Sequence, residues 1–324
     1  MKKTLVIGFF FCTFAVLGQV QELKLTADSW PPFTDTKGNK SILTVLVQEA
    51  LYRRNINSTI QIEDFANILE LITKGDYDGS PALWKSPERE LKFLYSDPYL
   101  YNQLILVGRK GSDVDAGSFE ELKGKKIGIV EYFDYGAFEG KEGVDWIPGK
   151  SNQDNLEKLL SEKIDYMLVD ALIIQYMLKY QLNDVTTYLA IGLKPLLVKP
   201  LHLALRKDLE NADLILTQFN EEIDEMIEDG TFNEILELNW VRADIDGDGR
   251  MELVLGGQAA GTSAPQNIYG LMMDNSYKTD NGPRRYYIDG KLYEDWDDIP
   301  KSYKLDLIED RTPSEEDVKV KLKF

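Results

Sequence analysis

From Leu23 to Trp240 the chain alternates short apolar runs with segments whose apolar residues recur every three or four positions. Continuous or alternating apolar runs of four to eight residues read as strands, and the 3.6-residue period reads as helix. Leu23–Ala27, Thr59–Ile62, Leu104–Gly108, Lys126–Val130, Tyr166–Val169 and Leu201–Arg206 are of the first kind. Ile42–Arg54, Ala66–Lys74, Asn152–Glu162 and Leu209–Asp229 are of the second, with Gly75 and Gly230 as stop signals. Strands that alternate with helices imply an α/β architecture with mainly parallel sheets. After Trp240 the helical period ends, and Gly, Asp and Tyr surround short strand-like runs (Met251–Leu255, Arg285–Ile288, Val318–Lys323). A boundary near residue 241 leaves 241–324 as a small β-rich extension.

The first eighteen residues stand outside this pattern. Met1-Lys2-Lys3 precedes an apolar run from Leu5 to Gly18, followed by polar Gln19, Gln21 and Glu22. That is the layout of a cleaved secretory signal, here 1–18. The run is shorter than the ~20 residues of a membrane span, so a soluble, periplasmic protein is expected. Cys12 follows Phe9-Phe10-Phe11 rather than the small residues of a lipoprotein signal, and it is the only cysteine. One Cys and one His exclude a Cys/His zinc centre and a disulfide framework. With 37 Lys+Arg against 55 Asp+Glu the net charge is −18, which repels phosphate backbones and argues against nucleic acid as partner.

Several short motifs fall in a consistent order. Leu25-Thr26-Ala27-Asp28-Ser29-Trp30-Pro31-Pro32-Phe33 closes the first strand, and Asp64-Phe65 opens a helix. Gly75-Asp76-Tyr77-Asp78-Gly79 follows, then Ser86-Pro87-Glu88-Arg89 and Tyr95-Ser96-Asp97-Pro98-Tyr99. Ser118 to Lys126, Ile164 to Asp170, and Asp229-Gly230-Thr231-Phe232 through Trp240 complete the set. Together they resemble the family 3 extracellular solute-binding proteins, periplasmic binders associated with amino-acid uptake. The resemblance covers 22–240 and implies the two-lobed type II periplasmic-binding fold with two crossover strands. Lobe 1 would comprise about 22–106 and 198–240, and lobe 2 about 107–197. The crossovers would lie near Ile105–Gly108 and Leu196–Leu203, and the lobes would close on a ligand held between them.

On that resemblance Arg89 stands at the carboxylate-binding position, where a planar guanidinium grips a carboxylate in two places. Asp170 stands at the ammonium-pairing position on the opposite lobe, with Asp28 as a second candidate. Trp30, Phe65 and Trp84 are candidate aromatic walls. Tyr132 and Tyr135 follow the first strand of lobe 2 and could close the cleft from that side. Each has a plainer reading as a packed core residue or a turn former. Trp84 replaces a small hydroxyl residue of typical members, and Val130-Glu131-Tyr132-Phe133-Asp134-Tyr135 lacks their Gly/Ser/Thr-rich character. The chain thus resembles a divergent branch with a bulkier, more aromatic cavity, suited to an amino acid or a related polar or aromatic metabolite.

Asp244, Asp246, Asp248 and Glu252 fall in a DxDxDGxxE loop with Gly249 at its turn. Alternating carboxylates converging on one point suit Ca²⁺, which takes oxygen ligands. Leu255 stands where an EF-hand needs Glu, so the loop is not an EF-hand. It resembles the calcium loops of FG-GAP repeats, with Asp244, Asp246, Asp248, Arg250 and Glu252 as the ligand set; a metal-free Asp/Gly turn is the alternative.

The leading expectation is therefore an exported, monomeric solute-binding protein that captures a small molecule for an ABC-type transporter or a membrane receptor. It is expected not to be an enzyme: no Ser/His/Asp set, Cys nucleophile or phosphate loop is present. Two alternatives are a dehydratase-like periplasmic enzyme on the same fold, for which Glu131 is an acid/base candidate, and a sensory or scaffold protein.

Overall fold

The structure, a computed structural model, describes residues 21–35, 41–136, 143–180, 182–257, 259–265 and 284–305. The expected signal 1–18, Cys12 within it and the run Val318–Lys323 lie outside the described residues.

The described residues begin with β1 (Gln21–Ala27), α1 (Ile42–Arg53), β2 (Ile56–Ile62), α2 (Phe65–Lys74), β3 (Gly79–Trp84), α3 (Pro87–Glu90) and β4 (Phe93–Tyr95). The long strand β5 (Leu100–Arg109) leads to β6 (Lys126–Val130), β7 (Asp145–Gly149), α4 (Asn152–Leu160), β8 (Tyr166–Asp170), α5 (Ala171–Tyr180) and α6 (Leu182–Tyr188). The return strand β9 (Leu189–Arg206) is followed by α7 (Ala212–Glu228) and α8 (Thr231–Ile235). The extension holds β10 (Trp240–Ala243), β11 (Glu252–Leu255), β12 (Arg285–Ile288) and β13 (Lys291–Tyr293).

Local chemistry accounts for the helices. The Asp64 side chain caps α2 by accepting from the Ala66 amide at 3.1 Å, and Gly75 ends it at φ 84°, a left-handed turn that glycine adopts without steric cost. The helix buries Ile68 and Ile72. On α1 the predicted stripe Leu43, Leu46, Val47, Ala50 and Leu51 faces the core. Helix α7 buries Ile215, Phe219, Ile223 and Met226 along one side. Its buried Glu222 holds Arg53 and Arg54 at the end of α1, 3.4 and 2.7 Å away, so a charge that would be costly alone is paired.

Nine strands form one curled sheet that runs through both halves in the order β2-β1-β3-β9-β5-β8-β6-β7, with β4 also on β9. β1 pairs parallel with β2 and β3, and β6 with β7 and β8, whereas β9 is antiparallel to β3 and β4, and β5 to β8, so the sheet is mixed rather than mainly parallel. The two strands that link the halves, β5 and β9, run antiparallel from Leu100↔Leu201 to Arg109↔Leu189, with register shifts around Ile105. Leu104 to Gly108 already pair with β8, so the passage between halves runs through Tyr101, Asn102 and Gln103. That is a few residues before the expected stretch. The architecture is two-lobed α/β, and the joining strands form its hinge.

The extension is a four-stranded sheet, β10-β11-β12-β13. One side has its own cluster, including Trp240, Leu253, Tyr286 and Tyr293. Val241, Ala243 and Val254 instead join the main core. Asn233 of α8 donates to the Val254 carbonyl at 3.1 Å, and the Gly256 amide donates to Asn239 at 3.0 Å.

Candidate functional site

The ends of β1 and β3, the start of α2 and the loop after β6 meet in one cleft. Its volume is about 270 Å³, including space open to solvent, and Asp28, Trp30, Phe65, Trp84, Arg89 and Phe133 are among its lining residues. Five of the seven expected ligand residues thus come together, all from the first half of the fold.

Arg89 is held by its neighbours in sequence. Ser86 caps the single turn of α3, and Pro87 starts it. The Arg89 side chain is 8% exposed. It donates Nη1 to the Trp84 carbonyl at 2.9 Å and Nη2 to the Tyr132 carbonyl at 3.4 Å, and it lies 5.7 Å from the Phe65 ring. Burial lowers its pKa, opposed by the charge of Asp134. A buried guanidinium whose hydrogen-bond partners are neutral carbonyls favours the approach of an anion.

Asp28 follows β1 and shares the same cleft. Burial raises its carboxyl to about 6; its own backbone hydrogen bond opposes the shift and nearby Asp64 adds to it. A carboxyl so shifted, across one pocket from a buried cation, is the arrangement expected where ligand charge is to be met.

Trp30 sits in a tight turn whose ends bond to each other, Trp30 N to Thr34 O at 2.8 Å. Its ring lies 4.3 Å from Phe33 and 6.3 Å from Trp84. The Trp84 indole donates to Asn102 Oδ1 at 2.7 Å. Lys199 Nζ lies 5.3 Å from its ring centre.

Two expected residues lie elsewhere. The Tyr132 ring is 60% exposed, because its backbone turns left-handed at φ 67° and delivers the next side chain, Phe133, into the cleft. Asp170 is 1% exposed at the end of β8. It accepts from Asn102 Nδ2 at 2.9 Å and from the Leu172 amide at 2.7 Å, so it helps tie the hinge and start α5. Trp84, Asn102 and Asp170 form a hydrogen-bonded chain from one half, through the crossover, to the other. Tyr135 is buried and its hydroxyl accepts from the Val130 amide at 2.9 Å, with its ring 5.5 Å from Trp84. Glu131 is exposed and off the cleft lining.

Phe133 and Asn102 were not singled out by the sequence. Phe133 had a visible signal, an aromatic run in a loop after a strand. Asn102 had none, since its role comes from partners 18 and 68 residues away.

In the extension, the acidic loop closes on itself. Gly249 N donates to Asp244 Oδ2 at 2.8 Å, Asp248 N to Asp246 Oδ1 at 3.1 Å and Arg250 N to Asp248 Oδ1 at 2.7 Å. Carboxylate oxygens of Asp244, Asp246 and Glu252 lie within 4.8 Å of one another. Arg285, buried on β12, reaches Asp246 at 3.3 Å, Asp248 at 3.0 Å and the fully buried Glu252. Burial raises the Glu252 pKa, and the Ile245 amide and Arg285 oppose that shift.

Among the described residues no helix is long and apolar enough to cross a membrane. The model of the bacterial extracellular solute-binding proteins, family 3, matches residues 25–242. The L-cystine-binding protein TcyJ of Escherichia coli (strain K12) is 31% identical over 162 residues, 49% of this chain and 58% of that protein. The chain therefore spans a little over half the length of this curated relative. Among solved structures, an ancestral arginine-binding protein bound to arginine superposes with a TM-score of 0.56 at 24% identity, over 67% of this chain and 96% of that one. A histidine kinase sensor domain with similarity to periplasmic binding proteins gives 0.56 at 17% identity, over 66% and 93%. At these identities the two structures establish the fold.

Proposed function

The chain belongs to the bacterial extracellular solute-binding proteins of family 3, and from that premise we propose that it captures an amino acid or a related polar or aromatic metabolite between its lobes. The observation that carries this reading is the buried guanidinium of Arg89, which among the described residues donates to the main-chain carbonyls of Trp84 and Tyr132, in one cleft with Asp28 and three aromatic walls. A zwitterion supplies what each needs: a carboxylate for Arg89, an ammonium for Asp28 and an apolar group for Trp30, Phe65 and Trp84. The relative named for L-cystine and the structure holding arginine support an amino-acid ligand. Closure about the β5/β9 hinge would commit it.

The captured solute would pass to an ABC-type membrane transporter, with a receptor as the alternative suggested by the sensor-domain neighbour. The protein would act as a monomer in the periplasm, exported by the signal at 1–18. Binding without turnover is favoured over the dehydratase-like reading that rested on Glu131, because Glu131 is exposed and off the cleft lining. Isothermal titration of the mature chain with L-amino acids, L-cystine, polyamines and small carboxylates tests this. Saturable binding of one class with no product formed supports it. An affinity unchanged in Arg89→Ala overturns the carboxylate clamp.

For the extension we propose a Ca²⁺ ion held by the FG-GAP-like loop. The clustered oxygens of Asp244, Asp246 and Glu252 support it; Asp248 adds a carboxylate, and Arg250 could contribute only its main-chain carbonyl. Arg285 already neutralises part of this cluster, so the ion must share or displace it. A melting temperature raised by Ca²⁺ after EDTA treatment supports the site, and no shift refutes it.

A further inference from the structure

Phe133 reaches across from the second lobe into the aromatic walls of the first. Its ring centre lies 5.5 Å from Trp30, 5.3 Å from Phe65 and 5.3 Å from Trp84, in tilted or edge-on geometries. These are the separations at which aromatic pairs attract. The carbonyl just before it, that of Tyr132, is the one that Arg89 Nη2 donates to at 3.4 Å. Residues 132 and 133 therefore bring an oxygen to the guanidinium and an apolar ring to the aromatic walls. Those are two of the three groups that the capture reading assigns to a ligand. The cleft that remains has about 270 Å³ of empty space, its open part included, and Phe133 is itself among the residues that line it. The turn that aims Phe133 inward has Tyr132 at φ 67°, a conformation that favours glycine and persists in other residues only when the surroundings impose it.

We infer that Phe133 sets what this cleft accepts: it is a built-in occupant of the aromatic walls, and capture is an exchange of its ring for the apolar group of the ligand. The exchange half of this inference rests on the capture reading; the self-occupancy does not. In the ligand-free chain the Phe133 contacts hold the lobes together. A ligand gains entry only with the fraction of molecules in which Phe133 has left, so its apparent affinity is lowered by that fraction. The ligand class narrows accordingly. A carboxylate carrying an aromatic or long apolar group replaces both the Tyr132 carbonyl and the Phe133 ring. A small amino acid such as glycine or alanine replaces only the first.

The experiment compares the full mature chain with Phe133→Ala, using circular dichroism to confirm that the variant is folded. Phe65→Ala removes the same contact from the other lobe and serves as the second variant. Small-angle X-ray scattering without any ligand is expected to show a larger radius of gyration for each variant than for the wild type. The same radius in all three overturns the inference. With L-phenylalanine as probe, calorimetry is expected to show Phe133→Ala binding at least about tenfold more tightly than the wild type, since the resident ring no longer competes. Wild-type binding as tight as the variant's overturns it. The scattering comparison uses no ligand, so a chain that opens in the variants yet binds no amino acid fails the capture reading alone.

Discussion

Asp28→Asn at the floor of the cleft separates stability from capture. Burial raises the Asp28 carboxyl from 3.8 to about 6 in the folded chain. A raised carboxyl contributes stability that is fully present below pH ~4, where folded and unfolded chains both hold the proton, and that is lost as pH rises through ~6. At ~1.4 kcal/mol for each tenfold change in proton affinity, the ionised Asp28 costs the ligand-free fold up to about 3 kcal/mol at neutral pH. Asp28 keeps part of its surface in water, and solvent trims that figure. Asn has nearly the same shape and does not ionise. Urea unfolding of both proteins at pH 4 and pH 7.5 is expected to give similar stabilities at the lower pH. At the higher pH the variant gains a clear excess, on the order of 1–3 kcal/mol. The same variant loses affinity for any ligand that brings an ammonium to this position. A difference that is the same at both pH values, or a wild type that gains on the variant as pH rises, refutes the reasoning. The carboxyl would then not be desolvated in the cleft, and its role there would fall with it.

Three further perturbations follow from contacts elsewhere. Asn102→Ala takes one hydrogen-bond partner each from the Trp84 indole and Asp170 at a fully buried crossover. A loss of roughly 2–6 kcal/mol is expected in chemical denaturation. Gly256→Ala puts a Cβ 1.9 Å from the Asn233 Cβ, where neither backbone can yield easily. It should destabilise the seam between α8 and β11 by about 1–3 kcal/mol and speed proteolytic cutting between the extension and the lobes. Arg285→Met leaves the buried Glu252 without its cation, a loss of about 3–5 kcal/mol in EDTA. Added Ca²⁺ recovers much of that loss in thermal melts if the loop holds the ion, and none if it does not.

The elements read correctly from sequence were those whose burial is local in origin. All five residues of β8 are buried, and its run of apolar residues is what a strand covered on both faces requires. Helix α2, ten residues long, carried its stripe within itself and its cap Asp64 and glycine Gly75 immediately at either end. Strand β9 was expected over Leu201–Arg206 from the apolar pattern and near Leu196–Leu203 as a crossover from the resemblance, yet it starts at Leu189. Gly192, Lys194, Pro195, Lys199 and Pro200 erase the alternation there, and the strand exists because β5 lies beside it for its whole length. No window of sequence contains that partner.

The same division explains the site. Asp28, Trp30, Phe65, Trp84 and Arg89 sit at element ends, where a strand or cap aims a side chain from its own neighbourhood, and the structure brings all five to one cleft. Tyr132 and Asp170, named on the family resemblance, also sit at element ends, but non-local effects decide their fate. A left-handed turn at Tyr132 moves the inward-facing position on by one residue, and tyrosine gives no warning of positive φ. Asp170 faces Asn102 because the crossover strand passes beside β8. A residue's chemistry can be read from its type and its element; the lobe it serves depends on the hinge. Here the hinge links Trp84 to Asp170 through Asn102 while Phe133 fills the space between the lobes. If Phe133 is exchanged for a ligand as we infer, opening the cleft and admitting that ligand would be one event, turning on the crossover that carries the Trp84–Asn102–Asp170 chain.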